Sequence, residues 1–292
     1  MKLGAAWFGF REQTPTNYFE IAAALGLRYI EVPIYEGIIG GYRFQQLVSD
    51  KDLKTILAIA DNAGVTLVSS VSQMELGGGF DIRGNDISKS VVEFNRAAAK
   101  RVIDVGAELG LEVMRITEPN IEPNRMEAEQ SYLEEYAEAL RPLGDYAEQR
   151  GLRIVIENYG ITSTQVKQLL DSVDHPWVGT LYDPCNYHRI GEDPLQALKS
   201  LKDRVFYCHL KDAFRDDPRD PNLLYKGSRW TPSVAVGEGE IDWGPIILEL
   251  STFYTGYLCV EYEISETCVY GTRVSKENLV RIAREQGIGF SN

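Results

Sequence analysis

The sequence predicts an α/β protein of the (β/α)8 barrel class, a TIM barrel, in a single domain over residues 1–292. Three observations predict it. Strand-like and helix-like segments alternate eight times, in units of about 36 residues, as a closed barrel of parallel strands requires. Four strand-like segments of the second half each end in a side chain able to bind a metal. No GxGxxG follows the first apolar run, which argues against an open dinucleotide-binding sheet.

The elements follow in order. Residues 2–8 read as the first strand rather than a leader: the apolar stretch is brief, contains Trp7, and lacks a small-residue cleavage pattern before REQTPTN. Further strands are expected at 28–33, 65–71, 112–117, 153–157, 178–183, 205–210 and 257–262. Each is a short run rich in Val, Ile, Leu or Tyr, as a strand buried on both faces is. Helices are expected at about 16–25, 50–63, 88–109, 128–150, 164–172, 193–202, 243–253 and 275–286. Ser88 is the natural N-cap of the third helix and Gly110 its stop. Pro142 should kink or split the fourth. The segment 214–240, with Pro218, Pro221 and Pro232, exceeds ordinary connection lengths. It is expected to form a lid over the C-terminal mouth, an arm between copies in a homo-oligomer being the alternative.

Composition narrows the function. A net charge of −13 repels a phosphate backbone, so nucleic acid is excluded as a partner and a small neutral ligand is expected. No apolar run approaches the roughly 20 residues that span a bilayer. Cys185, Cys208, Cys259 and Cys268 show no CxxC spacing, which fits reduced thiols in the cytoplasm.

The strand ends carry the chemistry. Glu157 closes RIVIE, Asp183 closes VGTLYD, His209 closes VFYCH and Glu261 closes YLCVE, at steps of 26, 26 and 52 residues. In a barrel, active sites lie where the βα loops open, so these four ends should converge there. Three carboxylates and an imidazole make a mostly oxygen site suited to Mn²⁺, with Mg²⁺, Co²⁺ and Zn²⁺ as alternatives. Lys211, just past His209 on the same strand face, is placed to hold a substrate oxygen, the alternative being a solvated lysine paired with Asp212. Trp7 and Phe8 could wall the C–H face of a sugar, and Glu31, Ser70, Glu118, Asn158 and Tyr159 stand near strand ends where a polyol would need hydrogen bonds.

VIENYG at 155–160, LYDPCNYHRIGEDP at 181–194, VFYCHLKDAF at 205–214, VGEGEIDWGPI at 236–246 and YLCVEYE at 257–263 together resemble the xylose isomerase-like (β/α)8 barrel superfamily. That group holds sugar isomerases and epimerases, inosose dehydratases and endonuclease IV. The resemblance implies that Glu157, Asp183, His209 and Glu261 are the metal ligands. It further implies, from the ketose 3-epimerase branch, that Glu157 and Glu261 move a proton on opposite faces of a carbohydrate through an enediolate. Arg215, six residues after His209, resembles that branch's substrate-binding arginine, a surface salt bridge within the acidic run RDDPRD being the alternative. The branch places a histidine three residues after the aspartate. Here that position is Asn186, with His188 two residues further on, and both are expected substrate contacts. The leading expectation is therefore a metal-dependent isomerase or epimerase of a ketose or related carbohydrate. The alternative is a lyase or dehydratase acting on a keto-polyol or keto-sugar glycoside, because the same enediolate can expel a β-leaving group. An endonuclease IV-like nuclease is disfavoured by the charge and by a total of 3 histidines.

Overall fold

The buried apolar runs become eight parallel strands: β1 (Lys2–Ala5), β2 (Tyr29–Pro33), β3 (Thr66–Val71), β4 (Val113–Thr117), β5 (Arg153–Glu157), β6 (Val178–Tyr182), β7 (Val205–Leu210) and β8 (Tyr257–Val260). The computed structural model describes residues 1–39, 42–46, 49–72, 74, 76–77, 88–117, 129–215 and 232–291. The described helices are α1 (Pro15–Ala24), α2 (Asp50–Ala63), α3 (Lys89–Glu108), α4 (Glu129–Glu148), α5 (Ser163–Val173), α6 (Pro184–Arg189), α7 (Pro194–Leu201), α8 (Trp243–Phe253) and α9 (Cys268–Glu285). Each barrel strand pairs with its sequence neighbour and β8 pairs back onto β1, so the sheet is a closed (β/α)8 barrel. None of the described helices is long and apolar enough to cross a membrane.

Caps fix where helices begin. Ser88 Oγ accepts from Val91 N at the start of α3, and Gly110 ends that helix region at φ +72°, a conformation glycine adopts without a Cβ clash. Thr162 and Gln165 form a reciprocal capping box on α5.

Two compact units are distinguished along the chain. The first comprises Met1–Glu31, Ile59–Thr66 and Tyr182–Asn292. In it β8 pairs with β1 (Gly4↔Cys259) and with β7 (Cys259↔His209), over a core that includes Tyr207, Cys208 and Leu258. Gly4 is required by the close approach: a Cβ there would collide with the Tyr29 carbonyl oxygen and lie 2.6 Å from Cys259 Sγ. The second unit comprises Val32–Ala58 and Leu67–Leu181. There β3, β4 and β5 pair in register (Val71↔Arg115, Arg115↔Val155) around Val68, Met114, Ile116, Ile154 and Ile156. Burial of each such side chain is worth about 1.5–3 kcal/mol.

Several expected boundaries differ. The first strand ends at Ala5 rather than at 8, because Trp7 donates its backbone N–H to the Glu31 carboxylate and a 3-10 turn follows at Phe8–Phe10. β6 stops at Tyr182, since Pro184 cannot donate to a ladder and starts α6, with Asp183 as its N-cap. α4 runs through Pro142 without a break; Leu140 and Leu143 are buried on either side, and that packing outweighs the missing hydrogen bond. α9 begins at Cys268, seven residues before the expected start, with Gly271 lying against the Tyr262 ring. An antiparallel pair, Tyr35–Ile39 with Tyr42–Gln46, was not expected. Glu118 and residues 216–231 of the expected 214–240 lid lie outside the described residues.

Candidate metal centre

Each group in the centre is delivered by the end of a strand. Glu157 is the last residue of β5, Asp183 follows β6, His209 is the penultimate residue of β7 and Glu261 follows β8. Parallel pairing sets their level: Cys259 is opposite His209, and Glu261 N donates to Leu210 O at 3.0 Å. One ligand atom from each of Glu157, Asp183, His209 and Glu261 lies within 4.8 Å of the others, and all four residues are buried. Buried carboxylates brought this close repel one another unless cations neutralise them.

The donor set fits a divalent ion. His209 Nε2 is 2.7 Å from Glu31 Oε2. A carboxylate can only accept, so Nε2 carries the proton, and Nδ1 is directed toward Glu261 Oε2 at 3.3 Å. Nδ1 and Glu261 Oε2 therefore face the same space, where both could ligate one cation. Glu31 is thus the carboxylate behind the imidazole that commonly orients a ligating histidine. The sequence pointed to Glu31 as a hydrogen-bonding group for a polyol; the structure gives its carboxylate to His209 and to the Trp7 amide instead.

Two cations already neutralise these acids. Lys211 Nζ lies 2.6 Å from Glu261 Oε2, 2.8 Å from Asp183 Oδ2 and 3.0 Å from Glu263 Oε1. Lys211, named from the sequence for a substrate oxygen, thus lies among the carboxylates. Arg115, on β4, pairs with Glu157. Glu263 is held from its other side by Arg189 Nη2 at 2.9 Å. Sequence reading missed Arg115, Arg189 and Glu263. The run YLCVEYE does place Glu263 on the same strand phase as Glu261, and that was the available signal.

The other expected contacts form a second group. His188 Nε2 is 3.1 Å from Glu240 Oε2, Arg215 N donates to that same oxygen at 3.0 Å, and Arg215 Nε donates to the His188 carbonyl at 3.2 Å. The Arg215 amide holds the Glu240 carboxyl below its usual pKa. Asn186 Oδ1 accepts from Arg189 Nη1 at 3.4 Å, and its backbone N–H helps to cap on Asp183 Oδ1. Trp7 is half-buried, with Phe8 edge-on at 6.3 Å. Asn158, wholly buried beside Glu157, has no hydrogen-bond partner for either carboxamide atom among the described residues. Ser70 is likewise buried, while Tyr159 is half-buried.

Asp212 anchors the segment leading into α8. Its carboxylate accepts from Ala213 N, Gly237 N, Ile241 N and Trp243 Nε1 at 2.8–3.3 Å, and burial raises its pKa despite these bonds.

Known structures share this architecture. The IOLI protein with a bound zinc atom superposes with a TM-score of 0.76 at 17% identity, over 98% of this chain and 99% of that one. The 3-keto-D-glucoside 4-epimerase of E. coli gives 0.70 at 16%, over 96% of this chain and 98% of that one. At such identities the likeness is one of fold. In sequence, the inosose dehydratase of Clostridium perfringens (strain ATCC 13124) is 34% identical over 136 residues, 44% of this chain and 46% of that protein, so the match spans about half of its length. The model of the xylose isomerase-like TIM barrel matches residues 19–285, from α1 to the last residue of α9. With its strands closed in that order and the match running nearly end to end, the chain belongs to the xylose isomerase-like TIM barrel family.

Proposed function

We propose that this protein is a divalent-metal-dependent lyase that removes water from a keto-polyol of the inosose kind. The observation that carries the proposal is the convergence of Glu157, Asp183, His209 and Glu261. The likeness to an inosose dehydratase favours elimination over isomerisation. A divalent cation held by these four residues would supply Lewis-acid stabilisation of negative charge developing next to a carbonyl. Mn²⁺ suits the oxygen-rich set, and the zinc of the IOLI protein supports a divalent ion of this size class.

The chain's own groups do the rest. One of the paired glutamates, Glu157 or Glu261, takes the proton from the carbon alpha to the carbonyl, and the electron pair moves into the enolate. When that pair returns, it forms the carbon–carbon double bond and breaks the β carbon–oxygen bond. The departing hydroxide takes up the proton that the first glutamate removed, passed on through the carboxyl pair, and leaves as water. Arg115 pairs with Glu157 and orients its carboxylate. Asn158, with both carboxamide atoms available, would take up a substrate hydroxyl.

The isomerase or epimerase reading shares the first step and differs only in returning the proton to carbon. The pairing of two glutamates in one cluster is what favours it. Incubation with inososes and ketoses in D₂O with Mn²⁺, followed by NMR, separates the two: a dehydrated product supports the lyase, whereas deuterium at one carbon of an intact sugar supports the epimerase. Glu157→Gln and Glu261→Gln should each lower turnover by about 10²–10⁴-fold. Full turnover in either metal-loaded variant would remove that glutamate from proton transfer.

A further inference from the structure

We infer that Lys211 is a displaceable occupant of the acidic cluster. Its ammonium holds Asp183 and Glu261 together while no divalent ion is present, and it withdraws onto Glu263 when one enters. The inference rests on the reading of Glu157, Asp183, His209 and Glu261 as metal ligands.

The geometry at Asp183 makes the conflict specific. Its Oδ1 accepts from Cys185 N at 2.9 Å and Asn186 N at 3.3 Å, which is the cap that starts α6. Oδ2 is therefore the oxygen turned toward the cluster, and it is the oxygen that Lys211 Nζ approaches at 2.8 Å. At Glu261 the same overlap recurs: Oε2 is 2.6 Å from Nζ and 3.3 Å from His209 Nδ1, so the ammonium and the ligating face of the imidazole address one atom. A divalent ion bound at about 2.0–2.6 Å to these oxygens would lie within a few ångströms of the ammonium. Lys211 is 4% exposed, so little water screens the two like charges.

Glu263 provides the place to withdraw to. It is outside the converging ligand set, and its Oε1 is already 3.0 Å from Nζ. Its Oε2 is fixed by Arg189 Nη2, so the carboxylate stays put when the lysine shifts its weight. Arg189 is itself buried and bonded to Asn186 on the same helix, which makes a rigid backing. A short rotation of a flexible lysine stem then exchanges three carboxylate contacts for one without leaving a buried ammonium unpaired. Because the withdrawn ammonium remains beside the ligands, metal loading also sets where this positive charge meets a substrate.

Calorimetric titration of Mn²⁺ into the metal-stripped full chain tests this without any substrate. Lys211→Met should bind Mn²⁺ about tenfold more tightly or better, because a poorly screened like charge has been removed. Glu263→Gln should bind it several-fold more weakly, since the lysine loses its alternative partner. The double variant should match Lys211→Met, as no lysine remains to be relocated. Unchanged or weaker binding by Lys211→Met, where the wild type binds, overturns the lysine inference and leaves the metal reading standing. Unchanged or tighter binding by Glu263→Gln does the same, and serves as the test should Lys211→Met fail to fold. Binding by Lys211→Met where the wild type takes up none supports the inference. No binding by the wild type or any folded variant overturns the metal reading and this inference together.

Discussion

His209 shows how one side chain depends on another that never touches the ligand. The Glu31 carboxylate accepts from Nε2 at 2.7 Å and so decides which ring nitrogen keeps its lone pair. Glu31→Gln leaves volume and backbone nearly unchanged, but its amide can present a donor where His209 needs an acceptor. Metal affinity should fall by about 10–100-fold, measured by titration, with circular dichroism unaltered. Unchanged affinity would mean that the ring is fixed by packing against Tyr207, whose ring lies 5.4 Å away. The four converging residues were legible because each stands at the end of an apolar run, where a charged side chain is conspicuous. Arg115 was not: it lies within VMRIT, and nothing local says that a mid-strand arginine will find Glu157 on the neighbouring strand. His188 and Arg215 were named as substrate contacts from their spacing, yet spacing carries no information about Glu240, which both engage.

Helix and strand boundaries obey local chemistry where the deciding atoms are close in sequence. On α5, Thr162 Oγ1 accepts from Gln165 N at 3.3 Å and Gln165 Oε1 accepts from Thr162 N at 2.7 Å. Thr162→Ala should cost about 1 kcal/mol in a urea titration, with Thr162→Ser close to wild type. A loss indistinguishable from zero would show that tertiary packing alone fixes the start of α5. The strand pair at Tyr35–Ile39 and Tyr42–Gln46 was readable in principle, since Gly40-Gly41 divides two strand-like runs and such a dipeptide is a hairpin signal. The eight-unit reading assigned no element between the second strand and the second helix, and so passed over it. Pro142 misled in the opposite sense, because its local cost is certain while the buried leucines that offset it belong to the tertiary fold.

For the molecule as a whole, the alternation of eight apolar runs with eight amphipathic stretches was enough to fix the barrel and its strand order, since right-handed crossovers between parallel neighbours leave few other solutions. The buried cysteines acquire a practical meaning from that closure. Cys208 and Cys259 lie in adjacent barrel strands, Cys185 lies in α6, and all three are fully enclosed. Burial lifts the Cys259 thiol to about 12 and the other two higher still, so the reactive thiolate is scarce and shielded from reagents in the native state. Cys268, the first residue of α9, is also buried with a raised pKa, but a helix terminus frays more readily than a barrel strand. A disulfide-exchange dye should therefore find almost no thiol in the folded protein, then one at the rate of α9 fraying, and all four only in denaturant. Mass spectrometry after timed labelling would identify the order, and early modification of Cys208 or Cys259 would contradict it. The thiols thus act as an internal clock for barrel opening, one that can be read without introducing any label site.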